Sequence, residues 1–178
     1  MNYKYVALLR GINVSGQKII KMEVLKKMFE RLNFEQVKTY IQSGNVIFES
    51  NILETNKLTE RIIEEIEIEF GFQVPVLVKK ISELEEIINH NPYSNLNEDE
   101  LKRLYIVLLK NPAEQFLIEQ LNSIDYAPEE FHITEKAIYF YCPSGYGKSK
   151  IDNNFFEKKL KVVATTRNWK TMNALAGY

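Results

Sequence analysis

The chain of 178 residues contains a single cysteine, two histidines and almost no excess of charge of either sign. One cysteine excludes an intrachain disulfide, which fits the reducing cytoplasm where we expect the protein to act. The two histidines, His90 and His132, stand apart from other ligands at zinc spacing, so no metal site is predicted. The formal net charge of −1 gives no global argument for nucleic acid or a membrane as partner.

The sequence also lacks a long hydrophobic run. Its longest apolar stretches, such as residues 105–109 and 137–142, are much shorter than the roughly 20 residues that a membrane-spanning helix needs. The short apolar run at the start is followed at once by Arg10 and has no small-residue cleavage site, so it predicts a first strand rather than a signal peptide. Hydrophobic residues still make up 45% of the chain, enough to build a core.

Charge is distributed unevenly along the chain. Residues 1–50 carry eight Lys or Arg against four Asp or Glu, residues 51–144 carry eight against eighteen, and residues 145–178 carry seven against two. If the fold brought the two basic ends together, their field would concentrate an anionic ligand. The alternative is that these charges are scattered over solvated faces.

Apolar periodicity predicts the same order of elements twice. In the first half, strands are expected near residues 5–9, 38–41, 46–49 and 74–78, with helices near 22–32 and 58–70. In the second half, strands are expected near residues 104–109, 131–133, 137–142 and 162–165, with helices near 112–121 and 155–160. Both halves have the order β-α-β-β-α-β of the ferredoxin-like split βαβ unit, so the predicted fold class is α+β, a tandem duplication of two such halves.

The two halves are joined by a predicted helical linker. We expect the N-terminal half over residues 1–80, the linker over 81–103 and the C-terminal half over 104–178. The C-terminal half is expected to end in a short helix over residues 169–175.

Three local signals predict where helices begin and end. A capping box formed by Ser82 and Glu85 is expected to begin the linker helix. Asn111 followed by Pro112 is expected to begin the first helix of the second half. Gly71 is expected to end the second helix in the left-handed conformation.

Four polar segments follow or interrupt the predicted strands. They are LLRGINVSG (residues 8–16), TYIQSGN (39–45), GYGKSK (145–150) and TTRNWKT (165–171). Loops placed by a rigid scaffold are where binding groups concentrate, so these segments point to a site. They contain no nucleophile–base pair, no metal-ligand cluster and no complete cofactor fingerprint. We therefore expect no cofactor, assign no catalytic residue, and leave open whether the chain is an enzyme.

The segment GYGKSK comes close to a phosphate-binding P-loop without forming one. A P-loop needs G-x-x-x-x-G-K-[ST], and counting back from Gly147, Lys148 and Ser149 places the first glycine at position 142, which is Cys142. Hydrolysis of ATP or GTP is therefore not predicted. An anion near the N-terminus of the following helix stays open as an interpretation, with a purely structural loop as the alternative.

The other three segments each have a functional and a structural interpretation. The planar guanidinium of Arg10 is suited to bind a carboxylate or phosphate through two hydrogen bonds. The structural alternative is that Arg10 pairs with an acidic residue of the chain. Gln42 and Asn45 suit a polar ligand, or belong to an ordinary hairpin turn. Arg167 is expected near the free N–H groups of the last helix, which Asn168 or another polar residue caps.

Five motifs of this chain occur in the order seen in a known family. They are LLRGINV, TYIQSGN, an Asn-Pro-aromatic segment at residues 91–93, YGKSK and TRNWKT. Over almost its whole length the chain resembles the bacterial domain-of-unknown-function family 1697. The resemblance implies a compact α/β protein with two similar halves and supplies no reaction, cofactor or catalytic residue. The chain departs from the family at Ser15, where relatives tend to carry glycine.

The predicted function is the binding of an anionic ligand by a cytoplasmic protein without a membrane partner. The ligand would be a phosphorylated or carboxylated small molecule or a nucleic-acid backbone. The predicted ligand-binding residues are Arg10, Asn13, Lys21, Gln42, Asn45, Lys148, Lys150, Arg167 and Asn168. The Arg and Lys side chains would neutralise the ligand, and the Asn and Gln side chains would orient it.

Two alternatives from other classes stay open. One is an enzyme acting on a phosphorylated or carboxylated substrate, with Lys148 or Arg167 stabilising developing charge. The other is a protein–protein assembly module whose sheet edges pair with another chain.

Overall fold

The structure, a computed structural model, describes residues 2–14 and 16–178. Over these residues it contains eight β-strands and seven α-helices, with the strands in two four-stranded sheets. Ser15, where the sequence analysis expected a departure from the family, lies outside the described residues. Within the described part of the chain, none of the helices combines the length and the apolar character needed to cross a membrane.

The first sheet is built around its central strand β1 (Tyr3–Leu9). This strand pairs antiparallel with β3 (Asn45–Ser50) on one side and with β4 (Val76–Lys80) on the other. Strand β2 (Glu35–Tyr40) pairs antiparallel with β3, which gives the order β2-β3-β1-β4. Strands β1 and β2 therefore run in the same direction with β3 between them, the arrangement expected of a split βαβ unit.

Helices α1 (Met22–Arg31) and α2 (Thr55–Phe70) pack on one face of this sheet. Their apolar residues recur at helical spacing and form one buried cluster with alternate residues of β1; the cluster includes Leu25, Met28, Phe29, Leu58, Ile62, Ile66, Tyr5, Ala7 and Leu9. Gly71 ends α2 at φ 74°, and its N–H donates to the carbonyl of Glu67 at 2.9 Å. The predicted left-handed cap is confirmed.

The second sheet repeats the first. Its central strand β5 (Leu104–Leu109) pairs antiparallel with β7 (Ala137–Tyr141) and with β8 (Ala164–Asn168). Strand β6 (Glu130–Ile133) pairs antiparallel with β7, which gives the order β6-β7-β5-β8. Helices α5 and α6, which cross over between these strands, occupy residues Gln115–Asn122 and Asn153–Leu160. The α+β class and the repeated element order are confirmed.

Two predicted helix starts are wrong. The connection between the sheets contains α3 (Ile81–Asn89), which begins directly after β4, so Ser82 lies inside the helix. The carboxylate of Glu83 accepts the backbone N–H of Lys80, the residue before the helix, at 2.9 Å, as the glutamate of a capping box does. Helix α5 begins with Glu114 as its N-cap rather than after Asn111. Proline fixes its own φ in a range that also suits extended chain, so it did not have to open the helix.

A capping box is present elsewhere in the connection, at helix α4 (Glu98–Leu101). The Asn97 side-chain oxygen accepts the N–H groups of Asp99 and Glu100 at 3.0 Å, and the Glu100 carboxylate accepts the N–H of Asn97 at 2.9 Å. A last helix, α7 (Trp169–Ala176), follows β8, in agreement with the predicted terminal helix.

The chain divides into two compact units. The first comprises Met1–Leu84 with Leu175–Tyr178, and the second comprises Glu85–Ala174. Each unit holds one sheet and the two helices on its face. The boundaries predicted from the sequence, at residues 80 and 104, stay a prediction.

Candidate functional site

Three segments meet at one end of the first sheet. They are the loop of residues 10–21 after β1, the turn of residues 41–44 between β2 and β3, and residues 71–75 before β4. They adjoin because the antiparallel pairing of β1 places its end beside the starts of β3 and β4. We call these three segments the loop end of the first unit.

Backbone hydrogen bonds connect the three segments. The N–H of Leu9 donates to the carbonyl of Gly44 at 2.8 Å, and the N–H of Arg10 donates to the carbonyl of Pro75 at 2.9 Å. The loop after β1 is therefore attached to both neighbouring segments at its first residues.

The side chain of Asn13 joins the loop to the turn. Its Nδ2 donates to the carbonyls of Ile20 at 3.0 Å and Gln42 at 2.9 Å, and its Oδ1 accepts the N–H of Ile20 at 2.9 Å. Asn13 has φ 55°, a left-handed conformation that asparagine adopts more readily than most residues. Asn13 is one of the predicted ligand-binding residues, and in the structure its amide positions Gln42 and the chain leading to Lys21.

Asn45 holds the turn in the same way. It is fully buried, and its Nδ2 donates to the carbonyl of Tyr40 and to the hydroxyl of Ser43, both at 3.0 Å. The side chain predicted to orient a ligand is thus bonded inside the protein. Of the predicted neutral residues at this end, Gln42 is the one that is exposed.

Three cationic residues border the loop end of the first unit. Arg10 is half-buried, and Lys18 and Lys21 are exposed. Lys18, which was not among the predicted residues, donates through Nζ to the carbonyl of Gln73 at 2.7 Å. Lys21 is the N-cap of α1 and makes no side-chain capping hydrogen bond, while Glu23 supplies one carboxylate in the first turn. The ammonium of Lys21 and the positive end of the helix dipole repel each other, so an anion bound near both would be favourable.

Three aliphatic residues, which the sequence analysis missed, are exposed at the same place. Val14 is 59% exposed, Ile19 is 65% exposed and Ile41 is 50% exposed. Each is adjacent in sequence to Asn13 or to a residue that bonds to its amide, so the three lie close together. In the sequence they stand out as apolar residues inside polar loops. The loop end therefore offers aliphatic surface beside its positive charge.

The P-loop-like segment GYGKSK of the second unit forms a turn whose backbone N–H groups donate to nearby backbone carbonyls. The N–H of Gly145 donates to the carbonyl of Cys142 at 2.9 Å, the N–H of Lys148 to that of Gly145 at 3.0 Å, and the N–H of Ser149 to that of Tyr146 at 3.3 Å. In a P-loop, such backbone N–H groups point at phosphate instead. Cys142 itself is buried in the second core, and burial raises the pKa of its thiol, so it is not an activated nucleophile.

The helix that follows this turn already has an internal cap. The carboxylate of Asp152 accepts the N–H of Phe155 at 2.8 Å, and the hydroxyl of Tyr146 accepts the N–H of Asn153 at 2.9 Å. An anion at the N-terminus of α6 would meet a carboxylate of the same charge. This geometry favours the structural interpretation of the turn.

Lys148 is exposed, and we expect its replacement by alanine to leave the fold intact. The free energy of unfolding should change by no more than about 0.5 kcal/mol, since exposed side chains away from special features contribute little. We also expect no metal-dependent hydrolysis of ATP or GTP by the unaltered chain. Urea unfolding and phosphate-release assays check both statements. Turnover that disappears in Lys148→Ala would contradict this reading of the turn.

Arg167 lies within the last strand and not beyond its end, where the sequence placed it. It belongs to β8, which runs three residues beyond its predicted end, and it pairs with Ile106 of β5. Its side chain is therefore on a sheet face, only 9% exposed, where Nη1 donates to the hydroxyl of Thr165 at 3.0 Å and the carbonyl of Thr166 at 2.9 Å. Burial lowers the pKa of Arg167 to about 10, so the guanidinium remains charged at neutral pH.

Asn168 has the capping role that the sequence allowed. Its Oδ1 accepts the N–H of Thr171 at 2.8 Å, at the start of α7. In the described part of the chain, no group of three or more His, Cys, Asp or Glu residues is arranged to hold a metal ion.

The nine predicted ligand-binding residues fall into two groups. The first unit contains Arg10, Asn13, Lys21, Gln42 and Asn45, and the second contains Lys148, Lys150, Arg167 and Asn168. Four of the first five lie in the loop end of the first unit, and Asn45 directly follows its turn at the start of β3. That all nine serve one ligand stays a prediction.

The fold and this loop end define a class of protein: two α+β units of the same topology, with polar loops held at a sheet end. The chain belongs to the family described as "Protein of unknown function (DUF1697)", whose model matches residues 2–139. The resemblance indicated by the motifs is confirmed.

Among solved structures, the chain is similar to a conserved bacterial protein from Streptococcus pneumoniae. The two share 21% sequence identity with a TM-score of 0.76, and the match covers 99% of this chain and 98% of that one. At this identity the likeness shows the fold alone. A comparison with curated proteins gives no match.

Proposed function

We propose that this protein is a cytoplasmic binding protein that holds an anionic ligand at the loop end of the first unit. The observation that carries the proposal is the Asn13 side chain, which joins the loop after β1 to the turn between β2 and β3. Because this junction fixes the loop against the turn, we expect Arg10, Lys21 and the exposed Gln42 to face the same ligand. The two cations would neutralise phosphate or carboxylate, and Gln42 would orient it.

The start of α1 supports an anion rather than a cation at this surface. Lys21 stands at the positive end of the helix dipole, and its side chain does not satisfy the first N–H groups of the helix. Lys18, in the same loop, adds a further positive charge. An anion would be attracted by all three contributions, whereas the single carboxylate of Glu23 opposes them only in part.

The proposal does not extend to the GYGKSK turn of the second unit, because the start of α6, the helix that follows this turn, is already capped. There, Asp152 and the hydroxyl of Tyr146 accept the N–H groups of α6. Arg167 and Asn168 likewise have hydrogen-bond partners within the protein. Lys148 and Lys150 are exposed and contribute positive charge without a comparable set of backbone donors.

Two of the four edge strands, β2 and β6, have features that oppose assembly by strand pairing. Strand β2 has a register shift between Glu35 and Lys38, with Gln36 at φ 49°, and it carries charges of both signs. Strand β6 is only four residues long. Bulges, charges and short length are the features by which sheets avoid pairing with other chains.

Alanine at Arg10 or Lys21 is expected to weaken anion binding by about 1.5–3 kcal/mol, roughly 10- to 150-fold in Kd, because each variant loses a charge-assisted hydrogen bond. Calorimetric titration with pyrophosphate, citrate and a single-stranded oligonucleotide measures this loss. Binding to the oligonucleotide backbone should weaken steeply with salt, and binding of the small anions less so, which separates the two ligand classes.

Lys27→Ala is the matched control, since Lys27 is an exposed lysine farther along the same helix. It removes the same charge and should leave binding nearly unchanged. If Lys27→Ala and Lys21→Ala lost the same anion affinity, the loss would depend on net charge alone, and the proposed site would be contradicted. Binding of none of the three probes would contradict the function.

A further inference from the structure

Three exposed aliphatic side chains belong to the loop end of the first unit. They are Val14, Ile19 and Ile41, which are 59%, 65% and 50% exposed. Each is adjacent in sequence to Asn13 or to a residue whose carbonyl accepts a hydrogen bond from the Asn13 amide, so the three are grouped around one junction. Because half or more of each side chain faces solvent, a ligand has aliphatic surface to contact here.

Ile41 has a backbone conformation that isoleucine rarely adopts. Its φ is 50°, in the left-handed region, where a branched Cβ is crowded by the backbone. Among the described residues, Ile41 is the only β-branched one with a positive φ. Glycine or asparagine would fit this turn at a lower cost, and the half-exposed side chain of Ile41 does not recover that cost by burial in the core. A contact between this side chain and a ligand would explain why isoleucine is present.

Positive charge accompanies this aliphatic surface. Arg10, Lys18 and Lys21 belong to the same loop as Ile19, and Glu23 in the first turn of α1 is the carboxylate that follows them in sequence. A neutral apolar molecule would gain only hydrophobic contact at this surface, and a small inorganic anion would gain only electrostatic attraction. A molecule with both an anionic group and an aliphatic chain would gain both contributions.

We infer that the ligand of the loop end is a small amphiphilic anion, a phosphate or carboxylate attached to a short aliphatic chain. This inference rests on the function proposed above and adds the chemical class of the ligand. Arg10 and Lys21 would neutralise the anionic group, and Ile19 and Ile41 would remove part of the chain from water. The left-handed turn at Ile41 would then serve to present its side chain to the ligand.

The size and charge of the surface favour a small ligand over a protein or a membrane. A protein–protein interface of standard size buries about 800 Å² on each partner, much more than three aliphatic side chains provide. Attachment to an anionic membrane usually takes a cluster of about four to eight Lys or Arg residues, and the loop end contains three.

Hexyl phosphate, methyl phosphate and 1-hexanol test the inference in calorimetric titrations of the full chain. The two phosphates have the same anionic group and differ in chain length, and 1-hexanol has the chain without the anion. We expect hexyl phosphate to bind about 10- to 100-fold more tightly than methyl phosphate, since its chain buries additional methylene groups. We expect 1-hexanol to bind more weakly than hexyl phosphate, because it lacks the charge.

The titrations distinguish this inference from the proposed function. Equal affinity of the two phosphates, or of 1-hexanol and hexyl phosphate, would overturn the inference. If the two phosphates bound equally, the anion site of the first unit would still stand. If neither phosphate nor pyrophosphate bound, the proposed function would fail together with the inference.

Ile41→Asn tests the aliphatic contact. Asparagine suits a φ of 50°, so the variant should stay folded, as urea unfolding checks. Its preference for hexyl phosphate over methyl phosphate should fall about 5- to 20-fold. Leu53→Asn is the matched control, since it removes a side chain that is 56% exposed and lies beyond the other end of β3. The preference should be unchanged in this control.

Three outcomes for the variants would contradict the inference. One is an unchanged preference in Ile41→Asn, and another is the same loss in Leu53→Asn as in Ile41→Asn. The third is attachment to phosphatidylglycerol vesicles, or self-association in sedimentation, that Ile41→Asn abolishes. A membrane or a second copy of the chain would then be the partner of the aliphatic surface.

Discussion

Replacing Gly44 with alanine is expected to lower the free energy of unfolding by about 2–5 kcal/mol, the sum of a left-handed backbone penalty and the cost of overpacking. Gly44 has φ 79°, and a Cβ there would lie 2.7 Å from Cβ of Leu9 and 2.7 Å from Cδ1 of Ile12. The Ile12 side chain is able to move, but Cβ of Leu9 is attached to the central strand of the sheet. Urea unfolding followed by circular dichroism measures the loss.

Gly11→Ala separates the two contributions. Gly11 has nearly the same φ, 70°, but a Cβ added there meets nothing within 4 Å. Its replacement should cost only the backbone penalty, about 1–2 kcal/mol. If the two variants lost the same stability, the close approach of the turn to Leu9 would not constrain position 44.

Asn13→Ala is expected to destabilise the protein by about 2–4 kcal/mol and to weaken anion binding as well. Alanine removes the three hydrogen bonds that the Asn13 amide makes to Ile20 and Gln42, and it tolerates φ 55° less well than asparagine. The loop and the turn would lose their junction, so Lys21 and Gln42 would no longer be held on one surface. Urea unfolding and pyrophosphate titration of the same variant measure the two effects.

Asn13→Gly serves as the control for Asn13→Ala. Glycine loses the same three hydrogen bonds but accepts the left-handed conformation, so it should be less destabilising than alanine. Normal stability combined with lost binding in both variants would show a different role for Asn13. The amide would then contact the ligand directly, as the sequence analysis predicted, and would not act by positioning its neighbours.

The Asn13 and Asn45 amides illustrate which parts of the candidate site were visible in the sequence. Both residues were selected as polar groups in loops, and both lie where the predicted strands end. The partner of Asn13 in the turn was not predictable, because Asn13 bonds to Gln42, which is 29 residues away along the chain. A side chain that bonds across the fold in this way differs from a ligand-binding one only in its tertiary surroundings.

Arg167 shows the same limit for a charged residue. The sequence placed it in a loop at the end of a strand, where its guanidinium would be accessible. Pairing with Ile106 continues β8 through this position, and the side chain is buried on a sheet face as a result. Strand length in a sheet depends on the neighbouring strand as well as on the residues of the strand itself.

The amino-acid sequence was sufficient to predict the α+β class, the repeated order of elements, the left-handed cap at Gly71 and the location of the polar loops. These follow from apolar periodicity and from the conformational preferences of single residues, which act over a few neighbours. The tertiary structure was needed to establish that the Asn13 amide bonds to Gln42 and that Arg167 is buried on a sheet face. The partners of these two residues lie far away in the sequence, and local preferences carry no information about which distant residues meet.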